Sequence, residues 1–236
     1  MKHLKTYEGL FDLFSKKKNQ KDICKKWGIT NYTPNNDGSI DVDGNVNLET
    51  RGLKELPLKF GKVTGYFYCH SNQLTTLEGG PSEVGGYFDC GNNQLTTLEG
   101  APREVGGDFN CYNNQLTTLE GAPREVVGSF NCSYNQLTTL EGGPRSVGGD
   151  FNCYNNQLTT LEGSPRSVGG YFSCYNNPIH SVYILFPDHK SFMDSLDYNY
   201  LRGSDIVKFR FKEACEEAGI KVPKSINGYK YIYIQI

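Results

Sequence analysis

A cysteine returns every 21 residues in this chain, at Cys69, Cys90, Cys111, Cys132, Cys153 and Cys174, and Leu48 holds the same column one interval earlier. A spacing kept so strictly restricts the fold to a stack of equivalent units, each too small to bury a core alone. Two residues before the column stand Val46, Phe67, Phe88, Phe109, Phe130, Phe151 and Phe172. Five after it stand Leu53, Leu74, Leu95, Leu116, Leu137, Leu158 and Ile179, and three further on come Leu56, Leu77, Leu98, Leu119, Leu140, Leu161 and Val182. Copying of one unit also accounts for 27 Gly and 16 Tyr beside two Met and one Trp.

Phe-x-Cys alternates with period two, so both side chains face one side of a short strand. The pattern predicts a solenoid of about seven 21-residue units, each adding one strand to a parallel sheet. Stacking buries each apolar side chain for about 1.5 to 3 kcal/mol. Three residues after each Cys, an Asn (Asn72, Asn93, Asn114, Asn135, Asn156, Asn177) stands where the chain leaves the strand. Its amide is expected to satisfy backbone groups in that bend, a structural role whose loss costs about 1 to 3 kcal/mol. The return stretch, Thr-Thr-Leu-Glu-Gly-x-Pro-x-x-Val-Gly-Gly, holds too much Gly and Pro for an α-helix and is predicted to be extended.

These residues carry a resemblance. Phe-x-Cys-x-x-Asn-x-Leu-x-x-Leu resembles the leucine-rich-repeat core Leu-x-Leu-x-x-Asn-x-Leu-x-x-Leu, over about 138 of the 236 residues. The unit is especially similar to the short repeats of bacterial effector proteins. It also looks like repeat proteins of large tailed phages and giant viruses, which share the Leu-Glu-Gly-x-Pro-x-x-Val-Gly-Gly wording. The resemblance implies a leucine-rich-repeat-like solenoid that recognises proteins through a concave sheet. Two departures stand out. The family's first Leu is replaced by Val63, Val84, Val105, Val126, Val147 and Val168, one residue earlier and followed by Gly, Thr or, once, Val127, so strand starts are expected to shift or bulge. The ligase domain of some effector relatives has no counterpart in the 54 residues after the repeats.

The chain divides into an N-terminal cap (1–44), the solenoid (45–182) and a C-terminal α+β cap (183–236), because an uncapped solenoid exposes its core. In the first cap, Tyr7, Leu10, Phe11 and Phe14 form one helical stripe, and Ile23, Cys24 and Trp27 belong to a second short helix. Asp37-Gly38 and Asp43-Gly44 bracket a strand over 39–42. In the last cap, helices are predicted over 188–201 and from Ser204 through Val207, Phe211, Ala214, Cys215 and Ala218 to Gly219. The stretch from Tyr229 to Ile236 reads as a strand that joins the cap's own sheet or forms a dimer edge.

The outward positions beside Phe and Cys define the candidate binding face. One column is Tyr66, Tyr87, Asp108, Ser129, Asp150 and Tyr171. The next is Tyr68, Asp89, Asn110, Asn131, Asn152 and Ser173, and the third is His70, Gly91, Tyr112, Ser133, Tyr154 and Tyr175. Tyr brings a large contact area with a hydrogen-bonding tip, which suits protein recognition. The bland alternative is a set of polar strand positions copied with the repeat.

Other chemistry is weakly represented. The four His are scattered, and no His-Glu-x-x-His, Gly-x-Ser-x-Gly or phosphate-binding Gly-Lys-Ser/Thr occurs, so neither enzyme activity nor a cofactor is expected. One thiol per unit, stacked in parallel beside Phe, suits packing better than metal or disulfide chemistry. Glu78, Glu99, Glu120, Glu141 and Glu162 form an acidic row that Arg103, Arg124, Arg145 and Arg166 are placed to relieve. Residues 65–177 hold eleven acids against four Arg, which disfavours nucleic acid at the solenoid. The six Lys from Lys16 to Lys26 read as the solvated face of the cap. No signal peptide and no apolar run long enough to span a membrane is present, so a cytoplasmic location is expected. The expected function is a protein-binding scaffold. The alternative is an assembly protein that oligomerises through the C-terminal cap or its terminal strand.

Overall fold

A computed structural model describes residues 19–159, 161–174 and 176–178, together with the strand residues 201–202, 205–207 and 230–232. It forms a parallel β-solenoid with a 21-residue turn, as the cysteine spacing requires. Each turn carries two short strands where one was expected. The phenylalanine strands (Val46–Asn47, Phe67–Tyr68, Phe88–Asp89, Phe109–Asn110, Phe130–Asn131, Phe151–Asn152 and Phe172–Ser173) form a seven-stranded sheet in sequence order. The valine strands (Glu83–Val84, Glu104–Val105, Glu125–Val126, Ser146–Val147 and Ser167–Val168) continue a second sheet that begins with Tyr32–Pro34, Ile40–Val42 and Phe60–Val63. The displaced valine is therefore not a shifted start of the phenylalanine strand. It anchors a strand of its own, cut off from the next by Gly-Gly.

Why the cut falls there follows from how closely the turns approach. The Gly107 amide donates to the Gly86 carbonyl one turn back at 3.0 Å. A Cβ on Gly106 would lie 2.2 Å from the Gly85 carbonyl oxygen, so a side chain forces the backbone to shift. Position 127 is where the chain does carry a side chain, and Val127 has 70% of its surface exposed.

Register is preserved from turn to turn. Phe67 pairs with Phe88, Phe88 with Phe109, and so on to Phe172. Neighbouring rings stack at 5.0 to 5.8 Å. Such pairs contribute about 0.5 to 1.5 kcal/mol each beyond the area they bury. The thiols of Cys69, Cys90, Cys111, Cys132 and Cys153 run beside them in one buried file.

The asparagine column does the structural work expected of it. Asn114 Oδ1 accepts from the Leu95 amide, and its Nδ2 donates to the carbonyls of Cys90, Cys111 and Tyr112. The same wiring recurs at Asn93, Asn135 and Asn156. Every bend is thereby tied to the one before it. The residue preceding each of these Asn is left-handed, with φ of 51 to 56° at Asn92, Asn113, Tyr134, Asn155 and Asn176, and at Thr50 and Ser71 in the first turns.

At the N-terminal end a helix occupies residues 19–27 and puts Cys24 into the core. It stops in a Schellman turn: Gly28 is left-handed, its amide donates to Lys25, and the buried Ile29 donates to Cys24. Tyr32–Pro34 then pairs antiparallel with Ile40–Val42, the strand expected between the two Asp-Gly turns. The predicted stripe from Tyr7 to Phe14 lies outside the described residues.

The C-terminal cap contains a three-stranded sheet of Leu201–Arg202, Asp205–Val207 and Lys230–Ile232. This corrects the expectation of a helix from Ser204 through Val207. Residues 205–207 are a strand because they pair in parallel with 230–232, a long-range contact that local spacing does not register. The terminal strand joins the cap's own sheet. Leu201, the last residue of the helix predicted over 188–201, is likewise in a strand, and the rest of both predicted helices lies outside the described residues.

Candidate interaction face

The outward columns of the phenylalanine sheet share one face, as period-two alternation demands. Tyr66 and Tyr68 flank the buried Phe67 and stack on each other at 4.2 Å. Tyr87 and Tyr171 are the open rings of the first column, at 51% and 74% exposure. In the third column large and small residues alternate: His70, Gly91, Tyr112, Ser133, Tyr154. The Tyr112 ring occupies the space above Gly91, where a Cβ would meet its Cε1 at 2.5 Å, and Asn92 Nδ2 donates to its hydroxyl. Tyr154 and Tyr134 pack edge to face at 5.4 Å. Tyr175 lies outside the described residues.

Several polar residues of this face serve the scaffold as well. Asp108 Oδ1 accepts from the Ser129 amide at 2.7 Å, Ser129 Oγ from the Asp150 amide at 3.0 Å, and Asp150 Oδ1 from the Tyr171 amide at 2.8 Å. Each residue thus closes the backbone of the following turn, a role the column reading missed. Asp89 accepts from the Gly91 amide and from Asn110 Nδ2, at 2.8 and 3.3 Å. Its burial pushes the carboxyl above the usual range, opposed by the Gly91 bond and by His70. Burial likewise raises the Tyr68 phenol. Asn110, Asn131 and Asn152 stand in register on consecutive strands.

His70 lies between Glu49 (Nε2 to Oε2, 2.9 Å) and Ser71 (Nδ1 to Oγ, 3.2 Å). This has the connectivity of a nucleophile, base and orienting acid, which the scattered histidines did not suggest. The nearby amides of Thr50, Arg51, Leu53 and Ser71 donate to His70, Asn72 and Gly91. The arrangement orients His70 on the face.

On the other sheet, a groove of about 980 Å³ is lined by Glu99, Arg103, Glu104, Arg124, Glu125 and Val127, among others. The expected relief of the glutamate row by arginine is not seen at Arg103 or Arg124. Ion pairs are formed by Lys59 with Asp37, Lys62 with Glu83 and His70 with Glu49. Burial raises the thiols of the cysteine file, Cys174 to about 12. Among the described residues no group of three or more His, Cys, Asp or Glu is placed to hold a metal ion, and no helix is long and apolar enough to cross a membrane.

Comparison of the chain with protein-family models, with curated proteins and with solved structures returns no match.

Proposed function

We propose that this protein is a non-enzymatic interaction module that engages a protein partner across the Tyr, Asn and Asp columns of the phenylalanine sheet. The observation that carries this reading is the state of the face. Backbone amides beneath it are spent on neighbouring turns, while tyrosine rings such as Tyr87 and Tyr171 remain open above it. Contact area with little entropy to lose is what a recognition surface needs. On the resemblance of its repeat, we read the solenoid as leucine-rich-repeat-like, of the short effector type. On the wording shared with phage and giant-virus proteins, we read it as virus-encoded and its partner as a host protein met in the cytoplasm.

Affinity capture with wild type and with a Tyr87→Ser, Tyr154→Ser, Tyr171→Ser variant tests the face, with thermal melting to verify the fold. Loss of captured partners in the variant supports the reading, and unaltered capture sinks it. A second reading, assembly through the C-terminal cap, has one observation in its favour: Lys230–Ile232 is an edge strand of its three-stranded sheet. Light scattering on the full chain and on one ending at Gly228 separates the two, since only assembly through that edge predicts an oligomer lost on truncation.

A further inference from the structure

The third outward column has a period of its own. From His70 to Tyr154 large rings alternate with small residues, so that Tyr112 and Tyr154 stand two turns apart with the fully buried Ser133 between them. The ladder beneath is in register, with Cys111 donating to Asn131 and Cys132 to Asn152. Adjacent strands lie about 4.8 Å apart, which puts the backbone positions that carry the two rings about 9.6 Å apart along the solenoid axis.

That distance discriminates among peptide forms. A β-strand presents equivalent side chains about 6.8 Å apart. Two turns of α-helix advance about 10.8 Å. A polyproline-II helix, with three residues per turn and a rise of about 3.1 Å, advances about 9.3 Å per turn, nearest to the spacing of those positions. Aromatic-lined surfaces are also what such helices dock on. Their backbone makes no internal hydrogen bonds and needs donors. Asn131 spends its oxygen on the Ser133 amide and hydroxyl, which leaves its NH2 as the group to offer a carbonyl.

Charge restricts the occupant further. The three outward columns hold Asp89, Asp108 and Asp150 and no Lys or Arg. Asp108 and Asp150 each give one oxygen to a backbone amide and form no ion pair among the described residues. Tyrosine faces and carboxylates together favour a cation.

We propose that this face takes a proline-rich segment in polyproline-II form, bearing Arg or Lys, laid along the solenoid axis across Tyr112 and Tyr154. The inference rests on the interaction reading above and assigns the chemistry of its partner.

The test is calorimetric titration of the full chain with synthetic peptides of Arg-Pro-Pro repeats, Gln-Pro-Pro repeats and Arg-Ser-Gly repeats of equal length. Binding is expected for the first, with the other two weaker by roughly tenfold or more, since one lacks charge and the other the preformed helix. Tyr154→Ser is expected to weaken Arg-Pro-Pro binding by a similar factor. The Asp108→Asn, Asp150→Asn double variant keeps both backbone acceptors, so it should fold normally, bind more weakly and lose part of the salt dependence. Equal binding of the Arg-Ser-Gly peptide, or indifference to both variants, overturns the proposal. If no peptide binds while partner capture still depends on the tyrosines, this inference falls and the interaction reading stands.

Discussion

The side-chain oxygen of Asn114 accepts the backbone amide hydrogen of Leu95, nineteen residues earlier, at 3.0 Å. The other end of the same amide holds carbonyls of two successive turns, Cys90 and Cys111, each at 3.1 Å. Asn114→Ala would strand buried groups that water cannot reach, and we expect a loss of about 2 to 3 kcal/mol in urea denaturation. Asn114→Asp should be worse at neutral pH, because a carboxylate would face those carbonyls. Its pKa in the fold would sit above the unfolded value of about 3.9, so the variant should regain stability on acidification and lose it as pH rises. An aspartate variant as stable as wild type would remove the asparagine file from the account of the fold.

Thr50 holds φ at 55°, the left-handed conformation that Asn adopts in the equivalent place at Asn92, Asn113, Asn155 and Asn176. A β-branched side chain pays a steric cost there, of the order of 1 kcal/mol. Thr50 is exposed, so little packing is lost on replacement. Thr50→Asn is therefore expected to stabilise the protein by about 1 kcal/mol, read as a higher melting temperature. A fall in melting temperature would show that the bend is not strained.

Asp89 is held above the usual carboxylate range by burial. A raised folded-state pKa means that stability is greatest below the unfolded value of about 3.9 and declines as pH rises through the folded one. Asn already fills the same position in the following turns, at Asn110, Asn131 and Asn152. Asp89→Asn should thus be more stable than wild type at neutral pH, with the gap closing in acid. Urea midpoints at both pH values measure this, and a gap independent of pH contradicts the assignment.

The thiols of Cys69, Cys90, Cys111, Cys132 and Cys153 are buried and hard to ionise. Since the thiolate is the reactive form, an aromatic disulfide reagent should leave all five untouched in the native protein. They should react together as denaturant unfolds the stack, with the partly exposed Cys174 reacting first. Rapid native labelling of Cys111 would contradict the buried file.

What was legible beforehand follows from which contacts repeat. The Phe, Cys, Leu and Asn columns were readable because each residue meets its own copy one turn away, so a spacing of 21 is itself a contact prediction. The valine strand was not, because two residues closed off by Gly-Gly leave no alternation to detect. The backbone role of Asp108 and Asp150 was hidden for another reason. A carboxylate that receives an amide 21 residues on looks, in sequence, like any exposed acid, although the short hydrogen-bonding residues Asn45, Asp108, Ser129 and Asp150 after the glycines were a signal. The Asn-Asn pairs at 92–93, 113–114, 155–156 and 176–177 announced a left-handed residue of which only the second member was read. Asp205–Val207 looks helical in sequence because Val207, Phe211 and Ala214 share a helical stripe, while its strand partner lies at 230–232.

Because Phe109 faces Phe130 in one sheet while Val105 faces Val126 in the other, both seams of any interior coil end in the chemistry with which the next begins. Excising or inserting one whole period rejoins like with like. The protein can therefore change its reach in steps of one strand spacing, about 4.8 Å, without reinventing its interior. Duplication and loss of a 63-nucleotide tract, three bases for each of the 21 residues, would adjust how long a target it spans.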